Sequence, residues 1–201
     1  MPSLPHILNA LSAAVNLVMY RLDAFDRFEK TSNAFFWSFF SLIIAAPIQF
    51  IGSEIQASNL PSDIGLQTTG MLVAQTLTYL LDWLIFPLIM IPVSKQLGFS
   101  NNYVRYIISY NWSKAVMYAV TVPTYAWFIV NPDNGAIVMV AMVVTIWSLS
   151  FRAWLAKNAL QTTWGFGIGI FLLDMLISLV LSLTIAQFAL PAGTVTISPA
   201  G

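Results

Sequence analysis

The stretch AFFWSFFSLIIAAPIQFIG, residues 34–52, contains no charge. A helix crossing a hydrocarbon core about 30 Å thick needs about 20 such residues. Comparable runs recur at 68–93, 105–130, 135–151 and 164–189. Only 8% of the chain is charged, against about 25% in an ordinary soluble domain. Too few charges remain to clothe a water-facing surface. The pattern predicts an all-α integral membrane bundle of five transmembrane helices.

The segment before the first run reads differently. Ile7, Leu11, Ala14, Val18, Leu22, Phe25 and Phe28 recur at helical spacing, with Asn9, Asn16, Arg21, Asp23, Arg27 and Lys30 mostly opposite. This predicts one amphipathic helix over about 6–30, within an N-terminal segment 1–33, lying in the membrane interface. Asp23 with Arg27 and Asp26 with Lys30 have the spacing of supporting ion pairs. The N-terminus lacks a basic n-region and carries Asn9, Ser12 and Asn16 among its apolar positions, so a cleaved signal peptide is not expected. Residues 190–201 form a weakly polar tail after the five-span domain 34–189.

Charge placement orients the chain. Arg21, Arg27 and Lys30 precede the first run, Lys95 and Arg105 lie between the second and third, and Arg152 and Lys157 lie between the fourth and fifth. The alternate connections hold Glu54, Asp63 and Asp133 and no lysine or arginine. By the positive-inside rule the N-terminus is cytoplasmic and the tail lies on the far side. Trp37, Trp112, Trp127, Trp147, Trp154 and Trp164 fall near run ends, where amphipathic rings favour the interface; Trp83 does not.

Three charges interrupt the runs. Asp82, Lys114 and Asp174 would each cost roughly 2.5 to 3.5 kcal/mol at a helix centre. At about 1.5 Å per residue they lie roughly 14 to 18 Å from the cytoplasmic ends of their helices, at one depth. Gln75 and Thr78 share a face with Asp82, Tyr106, Tyr110 and Thr121 with Lys114, and Ser178 and Ser182 with Asp174, while Asn111 lies beside the lysine. Three polar stripes facing one interior make a charge cluster. Two readings follow. In one the cluster fixes helix register, with Lys114 snorkelling and held over Tyr110 by a cation–π contact. In the other, two acids for one base leave a carboxyl free to exchange protons in an ion or proton path.

Other classes find little material. The only histidine, His6, lies outside every run, and cysteine is absent. A Ser-His dyad, an HExxH zinc site and a thiolate metal site are therefore excluded, and no catalytic residue, cofactor or metal is expected. Net charge is zero, which gives no global argument for nucleic acid. Gly165 and Gly169 form a GxxxG that predicts close helix packing within the bundle or in a homo-oligomer. Pro47, Pro87, Pro92 and Pro123 lie within or at the ends of runs, where membrane helices tolerate proline.

The segment KQLGFSNNYVRYIISYNWSKAVMYAVTVP (95–123) resembles the glycine, basic residue and aromatic that lead into the third span of Yip-domain membrane proteins. The five-span layout and NAFFWSFFSLIIAAP at the start of the first span are similar to short bacterial members. The DLYGP-type signature of eukaryotic members is absent, so their binding of small GTPases is not carried over. The resemblance implies a bacterial inner-membrane helical bundle without catalytic residues. The leading expectation is a non-enzymatic protein acting on the lipid bilayer or other membrane proteins through its N-terminal helix. The runner-up is a small transporter or channel component using Asp82, Lys114 and Asp174 as a relay.

Overall fold

The computed structural model describes residues 1–59 and 69–189, and the expected tail 190–201 and Asp63 lie outside them. Among the described residues regular structure is entirely helical: α1 (Leu4–Val18), a 3-10 turn (Leu22–Arg27), α2 (Ser32–Ser38), α3 (Phe40–Ser58), α4 (Thr69–Gln96), α5 (Ser100–Val130), α6 (Gly135–Ala159) and α7 (Trp164–Ala189). Four stretches are long and apolar enough to cross a membrane: Ser32–Gln56, Leu72–Gln96, Gly135–Ala159 and Trp164–Ile185. Their outward faces are rows of exposed apolar side chains, such as Leu77, Leu84, Leu88 and Ile91 on α4 and Leu172, Leu176, Leu179 and Leu183 on α7. Only a lipid solvent makes such surfaces favourable.

α5 holds the third expected span and is not among those four. Its 31 residues reach about 46 Å, ample for a bilayer, but Asn101, Asn102, Arg105, Asn111, Ser113 and Lys114 make it too polar. The packing explains the polarity. α1, α2, α3, α4 and α6 all pack on α5, which buries every residue from Tyr106 to Ala115. Over that stretch its side chains meet protein instead of lipid, whereas Val120, Tyr125, Trp127 and Val130 farther along are exposed. With α4, α6 and α7 it closes a four-helix ring, each helix touching the next and α7 returning to α4.

The N-terminal segment departs from the expectation of one helix to about residue 30. α1 stops at Val18, because Tyr20 adopts a left-handed φ of 63° and the Arg21 N–H returns to the Asn16 carbonyl at 3.1 Å. Phe25 and Phe28 are buried all the same, carried there by the 3-10 turn and the residue after it. The only ion pairs among the described residues lie elsewhere; Arg27 instead donates to Asn9 Oδ1 (3.0 Å) and Ser12 Oγ (3.2 Å), covering the polar face of α1. Ala10, Ala13, Ala14, Leu17 and Val18 face the bundle, whereas Leu4, Leu8, Val15 and Met19 form a second, exposed apolar stripe.

Local chemistry sets the other boundaries. Thr31 caps α2, accepting from Ala34 N at 3.1 Å. Ser38 and Ser41 hydroxyls bond carbonyls three residues back, and the chain breaks between α2 and α3 at Phe39, as such back-bonding favours. Gly98, at φ 77°, makes the tight α4–α5 turn. α6 runs to Ala159 instead of ending at 151. That longer helix takes Arg152 out of the expected cytoplasmic connection and into the bundle.

The glycine expectation is also corrected. A Cβ at Gly165 would approach only Thr163, and one at Gly169 would meet nothing within 4 Å. Between them, a Cβ at Gly167 would lie 2.7 Å from the Ala153 carbonyl and 2.9 Å from Lys157 Cβ. The close α6–α7 approach therefore depends on Gly167, which the GxxxG spacing passed over.

Candidate functional site

Each helix of the ring contributes one charge to its interior: Asp82 from α4, Lys114 from α5, Arg152 from α6 and Asp174 from α7. Lys114 Nζ lies 2.6 Å from Asp82 Oδ2 and also donates to the Asp82 backbone carbonyl at 3.0 Å. Arg152 Nη1 donates to Asp174 Oδ2 at 3.2 Å. Tyr110 joins the pairs, its hydroxyl donating to Asp174 Oδ1 at 2.8 Å while accepting from Lys114 Nζ at 3.5 Å. The Ser178 hydroxyl donates to Asp82 Oδ1. All four carboxylate oxygens thus accept a donor, and the tetrad is neutral.

Arg152 changes the charge balance expected from the sequence. Two acids face two bases, so the uneven count that left one carboxyl free does not hold. Hairpin geometry offered the missing signal. Counting back from the α6–α7 turn reaches Arg152, and counting forward by a similar number reaches Asp174.

The remaining expected residues divide. Lys114 Nζ sits over both Tyr110 (5.4 Å to the ring centroid) and Trp83 (4.8 Å). The second contact gives Trp83 a role inside the bundle, and Trp112 and Trp147, expected near run ends, also lie well inside α5 and α6. Gln75, Thr78 and Ser178 line a cavity together with Asp82. Asn111 turns away, donating to Ser38 Oγ at 2.9 Å and joining α5 to α2.

The tetrad marks a boundary along the bundle. On the side where α4 ends and α5 begins, Phe86, Tyr106, Tyr110, Leu155 and Ile170 belong to one continuous buried core. On the other side lies a cavity of ≈ 370 Å³ reaching Asp82 and Arg152, walled by Gln49, Tyr79, Tyr118 and Ser182 among others. Exposure is graded accordingly: the side chains of Arg152 and Asp82 are 34% and 18% exposed, those of Lys114 and Asp174 only 7% and 3%. A vestibule therefore ends on a charged floor, with packed rings and aliphatic side chains behind it that leave a cavity of only ≈ 30 Å³ beside Lys114 and Arg152.

Among the described residues no cluster of metal-ligating side chains occurs. Fold and site define a helical membrane bundle with an internal charge tetrad. Compared with known proteins, the chain matches no family model, no curated protein and no solved structure.

Proposed function

We propose that the protein is a non-enzymatic, five-span inner-membrane component that admits a small polar solute to a mid-membrane site and takes part in its transport. One observation carries this reading: a vestibule of ≈ 370 Å³ reaches Asp82 and Arg152 of the tetrad on one side, whereas the cavity on the α5–α6 side is only ≈ 30 Å³, room for about one water. A charge cluster serving register alone needs its charges paired, as these are, and gives no reason for a cavity of ligand size beside them. Solute sites near mid-bilayer, open to one side and closed behind, are what alternating access requires. In this reading α5 is the fifth span, inserted despite its polarity because protein surrounds it. The positive-inside pattern puts the N-terminus in the cytoplasm and turns the vestibule toward the opposite side.

The chain has no cysteine, so single-cysteine variants report without background. Ser182→Cys and Thr78→Cys are expected to react with a membrane-impermeant thiosulfonate from the non-cytoplasmic side, and Phe86→Cys and Leu155→Cys to stay inert from either side. Vestibule cysteines that resist the reagent from both sides would defeat the reading.

The exposed stripe Leu4, Leu8, Val15 and Met19 supports a second reading, in which α1 seats in the lipid interface and the protein acts on lipid or membrane proteins, as the Yip-like resemblance implies. Replacing Leu8 and Val15 by serine would then abolish function while leaving vestibule labelling intact.

A further inference from the structure

We propose that the vestibule binds a small monocarboxylate through the guanidinium of Arg152, an inference that rests on the transport reading and names its substrate class. Each oxygen of Asp82 and Asp174 already accepts one donor, which leaves each carboxylate about two of its four lone-pair sites, and of the two acids only Asp82 lines the cavity. Lys114 is occupied: its three N–H groups meet Asp82 Oδ2, the Asp82 carbonyl and the Tyr110 hydroxyl.

Arg152 differs. Of its five N–H donors, one interaction is made, with Asp174, and no other acceptor bonds it among the described residues. It is also the most exposed member of the tetrad, and it lines the cavity. Tyr118 lines the same cavity, and its hydroxyl makes no hydrogen bond among the described residues. The larger unspent capacity at the vestibule floor is donor capacity on a cation, about four N–H groups of Arg152 against about two lone-pair sites of Asp82. Its complement is an oxyanion.

Charge and size narrow the class. The tetrad is neutral as it stands, so it holds no surplus positive charge to offset the second charge of a dianion, which is also the costlier of the two to take out of water. A planar carboxylate matches the planar fork of arginine in a bidentate pair. A cavity of ≈ 370 Å³ lies at the small end of ligand sites. Gln49 and Ser182, farther along the wall, supply groups for a hydroxyl or amide on the same molecule.

The test uses full-length Ser182→Cys protein in liposomes and the rate of its modification by an impermeant thiosulfonate, with lactate, inorganic phosphate or choline chloride as probe. Lactate at twice its dissociation constant is expected to slow modification about threefold, with phosphate weaker and choline without effect. Adding Arg152→Lys, which keeps the charge opposite Asp174 and loses the fork, is expected to weaken lactate protection about tenfold. Tyr118→Phe, which leaves the tetrad untouched, is expected to weaken it by a smaller factor and serves if the arginine variant does not fold. Protection by choline equal to that by lactate, or lactate protection unchanged in both variants, would overturn the proposal. Brisk modification of Ser182→Cys without lactate protection would refute the carboxylate site and leave the vestibule standing. No modification at all would refute both.

Discussion

Removing Lys114 should destabilise the bundle more than removing its partner, and removing both should cost less than the two losses added. Lys114→Met leaves the Asp82 carboxylate with only the Ser178 hydroxyl in surroundings where the lysine is 7% and the aspartate 18% exposed. Stranding one member of a buried pair costs about 3–5 kcal/mol, and the vestibule beside Asp82 puts the expectation near the lower end. Asp82→Asn is milder by construction. The ammonium keeps the backbone carbonyl of residue 82 at 3.0 Å, the rings of Trp83 and Tyr110, and an amide oxygen in place of the carboxylate. Only the charge-assisted part of one hydrogen bond is lost, about 1.5–3 kcal/mol. The double variant buries neither charge, and its cost should fall below the sum of the singles by about 2 kcal/mol or more. Equilibrium unfolding of the purified protein in mixed micelles, titrated with a denaturing detergent and followed by circular dichroism, measures the cycle. A coupling energy within about 0.5 kcal/mol of zero is what independent sites give. That value, or an Asp82→Asn loss exceeding that of Lys114→Met, would refute the pairing argument.

Four further outcomes are expected. Gly167→Ala should destabilise by about 1–3 kcal/mol through a clash with the α6 backbone, whereas Gly169→Ala should be neutral or slightly stabilising; the same unfolding titration decides. Tyr20→Phe removes a hydroxyl lying 2.6 Å from Ser150 Oγ and should cost about 1 kcal/mol, with faster amide exchange at the end of α1. Ser38→Ala leaves the buried Asn111 amide without its partner and should cost about 1–3 kcal/mol, while Ser58→Ala, on an exposed turn of α3, should stay within about 0.5 kcal/mol. Reporter fusions at Ser53, Ser94 and Asn134 should read outside, inside and outside in turn; Ser94 and Asn134 on one side would remove α5 from the list of spans.

The sequence was most legible where a charge stood alone in oil. Asp82, Lys114 and Asp174 announced themselves by cost, and their common depth followed from counting residues. Arg152 was hidden because an arginine near a run's end reads equally well as a cytoplasmic anchor, and the apolar pattern of α6 weakens before the helix does. Gly167 was masked by the more familiar spacing of its neighbours, since close approach depends on which face of α7 meets α6 and spacing alone does not choose the face. In the N-terminal segment the helical periodicity continues through Phe25 and Phe28, but the backbone does not. Their burial is delivered by a left-handed residue at Tyr20 and a turn of 3-10 helix, which periodicity cannot distinguish from a continued α-helix.

The distribution of the tetrad over four helices has a consequence for assembly. Each of α4 to α7 carries one charge that alone costs a few kcal/mol in the bilayer, and none carries its own partner. Relief comes only when α4 meets α5 and α6 meets α7. Ser178 then ties α7 back to α4, and Tyr110 ties α5 to α7. The polar network therefore closes the ring between its first and last helices, where chain connectivity does nothing to hold them. Apolar packing cannot do this as selectively, because lipid tails compete with leucine for the same surfaces. The ring is secured at the level of the tetrad and by the core on one side of it. On the other side the four helices, with Gln49 of α3, wall a vestibule, so any movement that admits or releases a solute should hinge at the charged floor.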